Sequence, residues 1–109
     1  MYKENLHMFI YNVTVNVQPS IQEDWIQWMV STHIPEVLSS GCFTGNRICK
    51  LLNVADEGAT YAVQYTFRTM DEMERYQKEF APALQEDHKK RYGDKALAFR
   101  TLMEVVNES

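Results

Sequence analysis

The stretch from Ser20 to Gly41, SIQEDWIQWMVSTHIPEVLSSG, constrains this fold more than any other part of the chain. At about 100° per residue, Ile21, Trp25, Trp28, Met29 and Thr32 share one side of a helix, while Gln22, Glu23, Asp24 and Gln27 supply polar positions for water. Two tryptophans on one stripe need a broad apolar partner, because burying each large side chain stabilises by roughly 1.5–3 kcal/mol. Ser20 and Glu23 have the spacing of a capping box and predict the helix start. Pro35 lacks an amide donor and disfavours helical geometry at Ile34, which predicts a kink or break at HIPE. A last turn through Val37 and Leu38 then stops at Gly41.

The partner surface is supplied by strands. From Met8 to Val17 the chain alternates, with Phe9, Tyr11, Val13, Val15 and Val17 on one face and Met8, Ile10, Asn12, Thr14 and Asn16 on the other. Phe43 to Val54 reads as a second strand, its apolar members Ile48, Leu51, Leu52 and Val54. The ADEG turn at 55–58 joins it in a hairpin to a third, Thr60 to Arg68, whose Tyr61, Val63, Tyr65 and Phe67 again keep a period of two. Thr69 and Glu72 form a second capping-box pattern before a helix with the stripe Met73, Tyr76, Phe80 and Leu84; Pro82 interrupts it and Gly93 ends it. Lys95 to Val106 completes the series as a fourth strand.

The order strand, helix, strand, strand, helix, strand predicts a ferredoxin-like α+β fold, a four-stranded antiparallel sheet with both helices on one face. At 109 residues there is room for one core, so residues 8–109 form a single domain and 1–7 a frayed extension, with Met8 an alternative start. The other sheet face is half apolar, whereas a solvated face is mainly polar. A second copy of the chain is the simplest cover, which predicts a homodimer.

Charge and composition narrow the partners. A formal charge of -4 and a pI near 5.3 argue against nucleic acid or an anionic membrane as the main partner. No apolar run reaches the ~20 residues of a membrane-spanning helix. Cys42 and Cys49 match no zinc or redox spacing, so no metal is expected, and two unpaired cysteines fit a cytoplasmic location.

The segments IYNVTVNV, W-x-x-W-M followed by HIPEVL, GATYAVQYTF and RYGDKALAFRT, spanning residues 8 to 106, resemble a small bacterial family of unknown function. That family in turn resembles the dimeric α/β barrels, which include cofactor-independent antibiotic-biosynthesis monooxygenases, muconolactone isomerases and haem-degrading monooxygenases. The resemblance implies a dimeric α/β barrel. The haem-degrading members use an asparagine on the first strand with a tryptophan and a histidine on the second helix. Asn12 matches the first, but Tyr76 stands where the tryptophan belongs and His88 lies further along, so no haem or other cofactor is expected.

His33 is the first candidate site residue. It lies at the edge of the tryptophan stripe, beside the Pro35 break, where freed backbone groups open a cleft against the sheet and an imidazole can act as a base. The simpler alternative is that it bonds a loop carbonyl and holds the kink. Arg100, Asn12 or Thr14, and Gln64 or Thr66 fall on adjacent strands, and parity places them together on one face; Arg100 would then anchor an anion or enolate beside hydrogen bonds from Asn12, Gln64 and Thr66. The alternative is a wet face or a polar dimer seam. Trp28 and Tyr76 are taken as ligand-lining, although the tyrosines as a group suit core positions with anchored hydroxyls. His7 and His88 are expected at the surface.

Three functions follow: a homodimeric module binding a small apolar or anionic molecule between sheet and helices, a cofactor-independent monooxygenase or isomerase using His33 and Arg100, or a purely structural dimer. An open cleft reaching His33 and a strand polar group favours the first two. Solid packing there favours the third.

Overall fold

A computed structural model describes residues 8–52 and 58–109. The period-two segments become β1 (Phe9–Val17), β2 (Gly45–Lys50), β3 (Ala59–Phe67) and β4 (Ala96–Glu104), and the sheet order is β2-β3-β1-β4, all antiparallel. This is the expected ferredoxin-like arrangement. Tyr11, Val15 and Val17 share a face with Tyr61, Val63, Tyr65 and Phe67, and the helices bury that face.

The first helical stretch is less regular than its sequence pattern. A 3₁₀ turn over Pro19–Ile21 leads into α1 (Gln22–Trp28), a π-helical turn over Met29–His33, and α2 (Ile34–Leu38). The Ser20 capping box does not form: the residues in cap positions are Gln18 and Ile21, and neither uses its side chain. Pro19 starts the 3₁₀ turn with its own ring, which places Ser20 inside that turn. Nor does Pro35 break the helix. The preceding turn widens from i−4 to i−5 pairing, absorbing the missing donor without interrupting the stretch. Gly41 ends it at φ +76°, as its position predicts.

The second stretch follows its pattern closely. Thr69 Oγ1 accepts the Glu72 amide at 3.3 Å and opens α3 (Met70–Glu79); Phe80, at φ −120°, breaks the helix just before Pro82, and α4 (Ala81–Tyr92) ends at Gly93. Met73, Tyr76 and Leu84 are buried as expected, and Asp71, Glu74 and Glu79 face water.

β2 is shorter than expected. Phe43 leaves the strand to pack among Tyr11, Tyr65 and Tyr76, while Leu51 and Leu52 point to solvent. Val54 and the hairpin residues 55–57, like the extension 1–7 and its His7, lie outside the described residues. At the end of that hairpin Gly58 adopts φ +84° with its Cα against β1, where a Cβ would collide with the Val17 carbonyl.

Two ties join the helical stretches above the sheet. Trp25 Nε1 donates to His88 Nε2 at 3.0 Å, and Tyr92 Oη donates to Asp24 Oδ2 at 2.8 Å, with Arg91 also 3.5 Å from that carboxylate. They fix α1 against α4 and thereby set the width of the space between helices and sheet.

Candidate functional site

Strand parity separates the predicted strand cluster. Asn12 is opposite both Gln64 and Thr101, and Thr66 shares their face, but Arg100 is opposite Val13, whose side chain points the other way. The expected grouping of Arg100 with Asn12, Gln64 and Thr66 is therefore corrected: Arg100 belongs to the helix-covered face and the other three to the bare face. Asn12 is buried there, donating to Thr14 Oγ1 at 3.0 Å and Thr101 Oγ1 at 3.3 Å, with its Oδ1 unpartnered. Thr66 pairs with Thr44 at 2.8 Å.

Arg100 instead meets His33. A cleft of about 30 Å³ between sheet and helices is lined by Tyr11, Tyr65 and Tyr76, by His33 and His88, and by Gln85 and Arg100 over an aliphatic floor. An outer bowl of about 370 Å³, bounded by Lys89, Asp94 and Leu97, shares Gln85, His88, Ala98 and Arg100 with it.

The polar groups arrive from several elements, Gln85 and His88 together from α4. The π turn ends at His33, whose ring stacks on Trp28 at a centroid distance of 4.8 Å; the Arg91 guanidinium also lies over that indole, 5.4 Å from its centroid. Trp28 thus backs His33 and does not line the cleft. Tyr76 does line it, as predicted, in contact with Tyr11 and Phe43. Tyr11, on the inward parity of β1, lines the cleft together with Arg100 and Gln85.

His88 is the residue that sequence reasoning misplaced. It is only 9% exposed, accepts the Trp25 hydrogen bond and sits 5.9 Å from the His33 ring. The signal was present: Ala81, Leu84, His88 and Tyr92 follow the helical stripe of α4. Gln85 and Tyr11 were likewise readable from the same helix and from strand parity.

Burial sets the electrostatics. Desolvation lowers His33 to about 4, helped by His88 and Arg100 and opposed by Asp87; desolvation and then Arg100 lower His88 to about 4. Both imidazoles are neutral at pH 7. His33 Nδ1 is buried with no hydrogen-bond partner. Burial also raises Tyr11, Tyr65 and Tyr76, which keeps their hydroxyls protonated and rules them out as bases near neutrality. Among the described residues no group of three His, Cys, Asp or Glu side chains could hold a metal ion. The cleft can thus offer a cation, neutral imidazoles and hydroxyl donors to a ligand oxygen.

The model of a domain of unknown function, DUF4286, matches residues 8–106. The chain belongs to that family. No curated protein matches this DUF4286 chain. Among solved structures it is similar to an ethyl tert-butyl ether d (EthD) family protein from Bacillus halodurans C-125, with a TM-score of 0.70 at 11% identity over 90% of this chain and 99% of that one. A dimeric ferredoxin-like protein from an uncultured marine organism gives 0.65 at 16% identity, covering 94% and 99%. A candidate antibiotic-biosynthesis monooxygenase from Bacillus cereus gives 0.64 at 12%, covering 94% and 97%. At these identities the likeness is one of fold, and it agrees with the α+β arrangement and with the resemblance read from the DUF4286 segments.

Proposed function

We propose that this chain binds a small organic molecule with an anionic or acidic-oxygen head and an apolar body, held between sheet and helices. The carrying observation is the cleft lined by both Arg100 and His33, which shares Gln85, His88, Ala98 and Arg100 with the outer bowl. A guanidinium beside neutral imidazoles in a partly desolvated site favours a ligand that brings its own negative charge. A purely structural dimer has no use for a buried, unpartnered imidazole nitrogen, which costs free energy in the empty protein.

A thermal-shift screen of small carboxylates, phenols and enolisable ketones tests this, since a ligand of the native state raises the melting point. The expected result is a set of stabilising acids whose effect is lost in Arg100→Ala. Shifts of equal size in that variant, or none in the wild type, would refute the assignment.

The unpartnered His33 Nδ1 favours one second reading, a cofactor-independent monooxygenase or isomerase in which His33 accepts a substrate proton. Quinol oxidation and lactone isomerisation should then proceed in the wild type and fall on His33→Ala; equal residual rates in the two proteins dispose of it.

The bare face supports a homodimer. Phe99, Leu97 and Met103 are exposed around the polar centre of Asn12, Thr14, Gln64 and Thr66, and one solved protein of similar fold is described as dimeric. The two cysteines, both free, suit a cytoplasmic setting.

A further inference from the structure

We infer that Trp25 locks His88 in its Nδ1–H tautomer, so that in the cleft His88 donates and His33 accepts, and the site takes a head group with two neighbouring oxygens, one a hydroxyl. The inference rests on the small-molecule reading of the cleft and divides the labour within it.

The chemistry of the pair fixes the first part. An indole N–H is a donor and nothing else. It lies 3.0 Å from His88 Nε2, with Trp25 fully buried and His88 nearly so. A neutral imidazole carries one proton, and the nitrogen facing an indole N–H cannot be the one that holds it, so the proton is on Nδ1. Adding a second proton would set N–H against N–H and place a cation beside Arg100. His88 therefore cannot serve as the base, although by burial and position it looks like the equal of His33.

His33 is differently placed. Its Nδ1 has no partner, its ring is held by Trp28 on one side, and Asp87 lies on the α4 side to favour a positive charge that His88 and Arg100 oppose. In the Nε2–H form it can take a proton from a ligand hydroxyl. The O–H bond breaks, the N–H bond forms at Nδ1, and the electron pair stays on the ligand oxygen. That oxyanion then lies within the field of Arg100 and the Nδ1–H of His88.

Size and spacing define the head. The inner cleft, at about 30 Å³, holds two water-sized groups, since each needs roughly 10–15 Å³ by the same measure. The two rings are 5.9 Å apart between centroids and line the same small cleft, so one compact head group with adjacent oxygens can meet both. An ortho-hydroxy carbonyl or an α-hydroxy carbonyl fits; the rest of the molecule occupies the outer bowl. Trp25 touches none of this and is a positioning residue.

Two independent measurements test the inference. In protein with ¹⁵N-labelled imidazoles at pH 7, His88 Nε2 should resonate as an unprotonated nitrogen and Nδ1 as a protonated one, and Trp25→Phe should shift His88 toward a tautomer mixture. A protonated Nε2 in the wild type overturns the lock, whether or not the variant folds. In titrations with salicylate, benzoate and 4-hydroxybenzoate, salicylate should bind at least about tenfold tighter than the other two, with that advantage lost in His33→Ala. Equal affinities overturn the two-oxygen head but leave the binding reading. Binding of none, with the tautomer as stated, overturns both the head and the binding reading while the lock stands.

Discussion

Arg100 acts on both imidazoles at once. It is among the groups that depress His33 and His88, second to desolvation for His88 and behind desolvation and the neighbouring imidazole for His33. Removing the guanidinium in Arg100→Ala should therefore move both titrations upward toward the ordinary histidine value near 6.5, with His88 responding more, as followed by NMR. Unchanged titrations would mean that the side chain swings to solvent and leaves the cleft. The residue scale is also where the site was hardest to read. Period-two parity was applied to β1 and β3 correctly, yet the register of β4 against β1 decides which face Arg100 occupies, and no local pattern sets that register. His33 is singled out by its place at the edge of the tryptophan stripe beside Pro35, and it lines the cleft although the helix does not break there. The stripe of α4 makes the burial of His88 legible, but not its role in the cleft, which is set by Trp25, sixty-three positions away in sequence.

At the level of the elements, the two capping-box patterns make a controlled comparison. Thr69 accepts the Glu72 amide, whereas Ser20 lies inside a 3₁₀ turn begun by Pro19. Thr69→Ala should destabilise by about 1 kcal/mol and Ser20→Ala by less than about 0.5 kcal/mol, measured by urea unfolding. Comparable losses would mean that Ser20 caps the helix in solution after all. Gly58→Ala should cost more than either, because a side chain there combines φ +84° with a collision against the Val17 carbonyl. β1, β3, β4 and the helices were legible in the sequence since each has a clear period and a proline or glycine near its limits, whereas the mixed pattern of Phe43 to Val54 overextended β2. The π turn was not legible. A proline announces that one hydrogen bond is lost, but widening the preceding turn or breaking the helix both answer that loss, and the choice is made by packing of Trp25, Met29 and Val37 on the sheet.

The whole molecule couples this site to its stability and its assembly. His33 and His88 bind protons less readily folded, at about 4, than unfolded, at about 6.5, so the unfolded chain takes up more protons between those values. Their neutral burial therefore favours the fold fully above about pH 6.5, and that advantage is lost as the pH falls toward 4. The melting temperature should drop across this window, and less steeply in His33→Gln, which has nothing to titrate; a flat profile would show the imidazoles to be wetter than their burial indicates. The proposed homodimer rests on the opposite face. Phe99 is 71% exposed at the centre of the edge strand β4, with Leu97 and Met103 two and four positions along on the same side. A copy related by a two-fold axis would cover these residues and the polar Asn12 of central strand β1, which retains an unpartnered Oδ1. Phe99→Glu puts a charge into that seam while leaving the helix-covered cleft intact. Light scattering should find a dimer for the wild type and a monomer for the variant, and ligand affinity in the cleft should survive the change. A wild-type monomer at micromolar concentration would remove the dimer; a dimer in both proteins would move the interface away from β4.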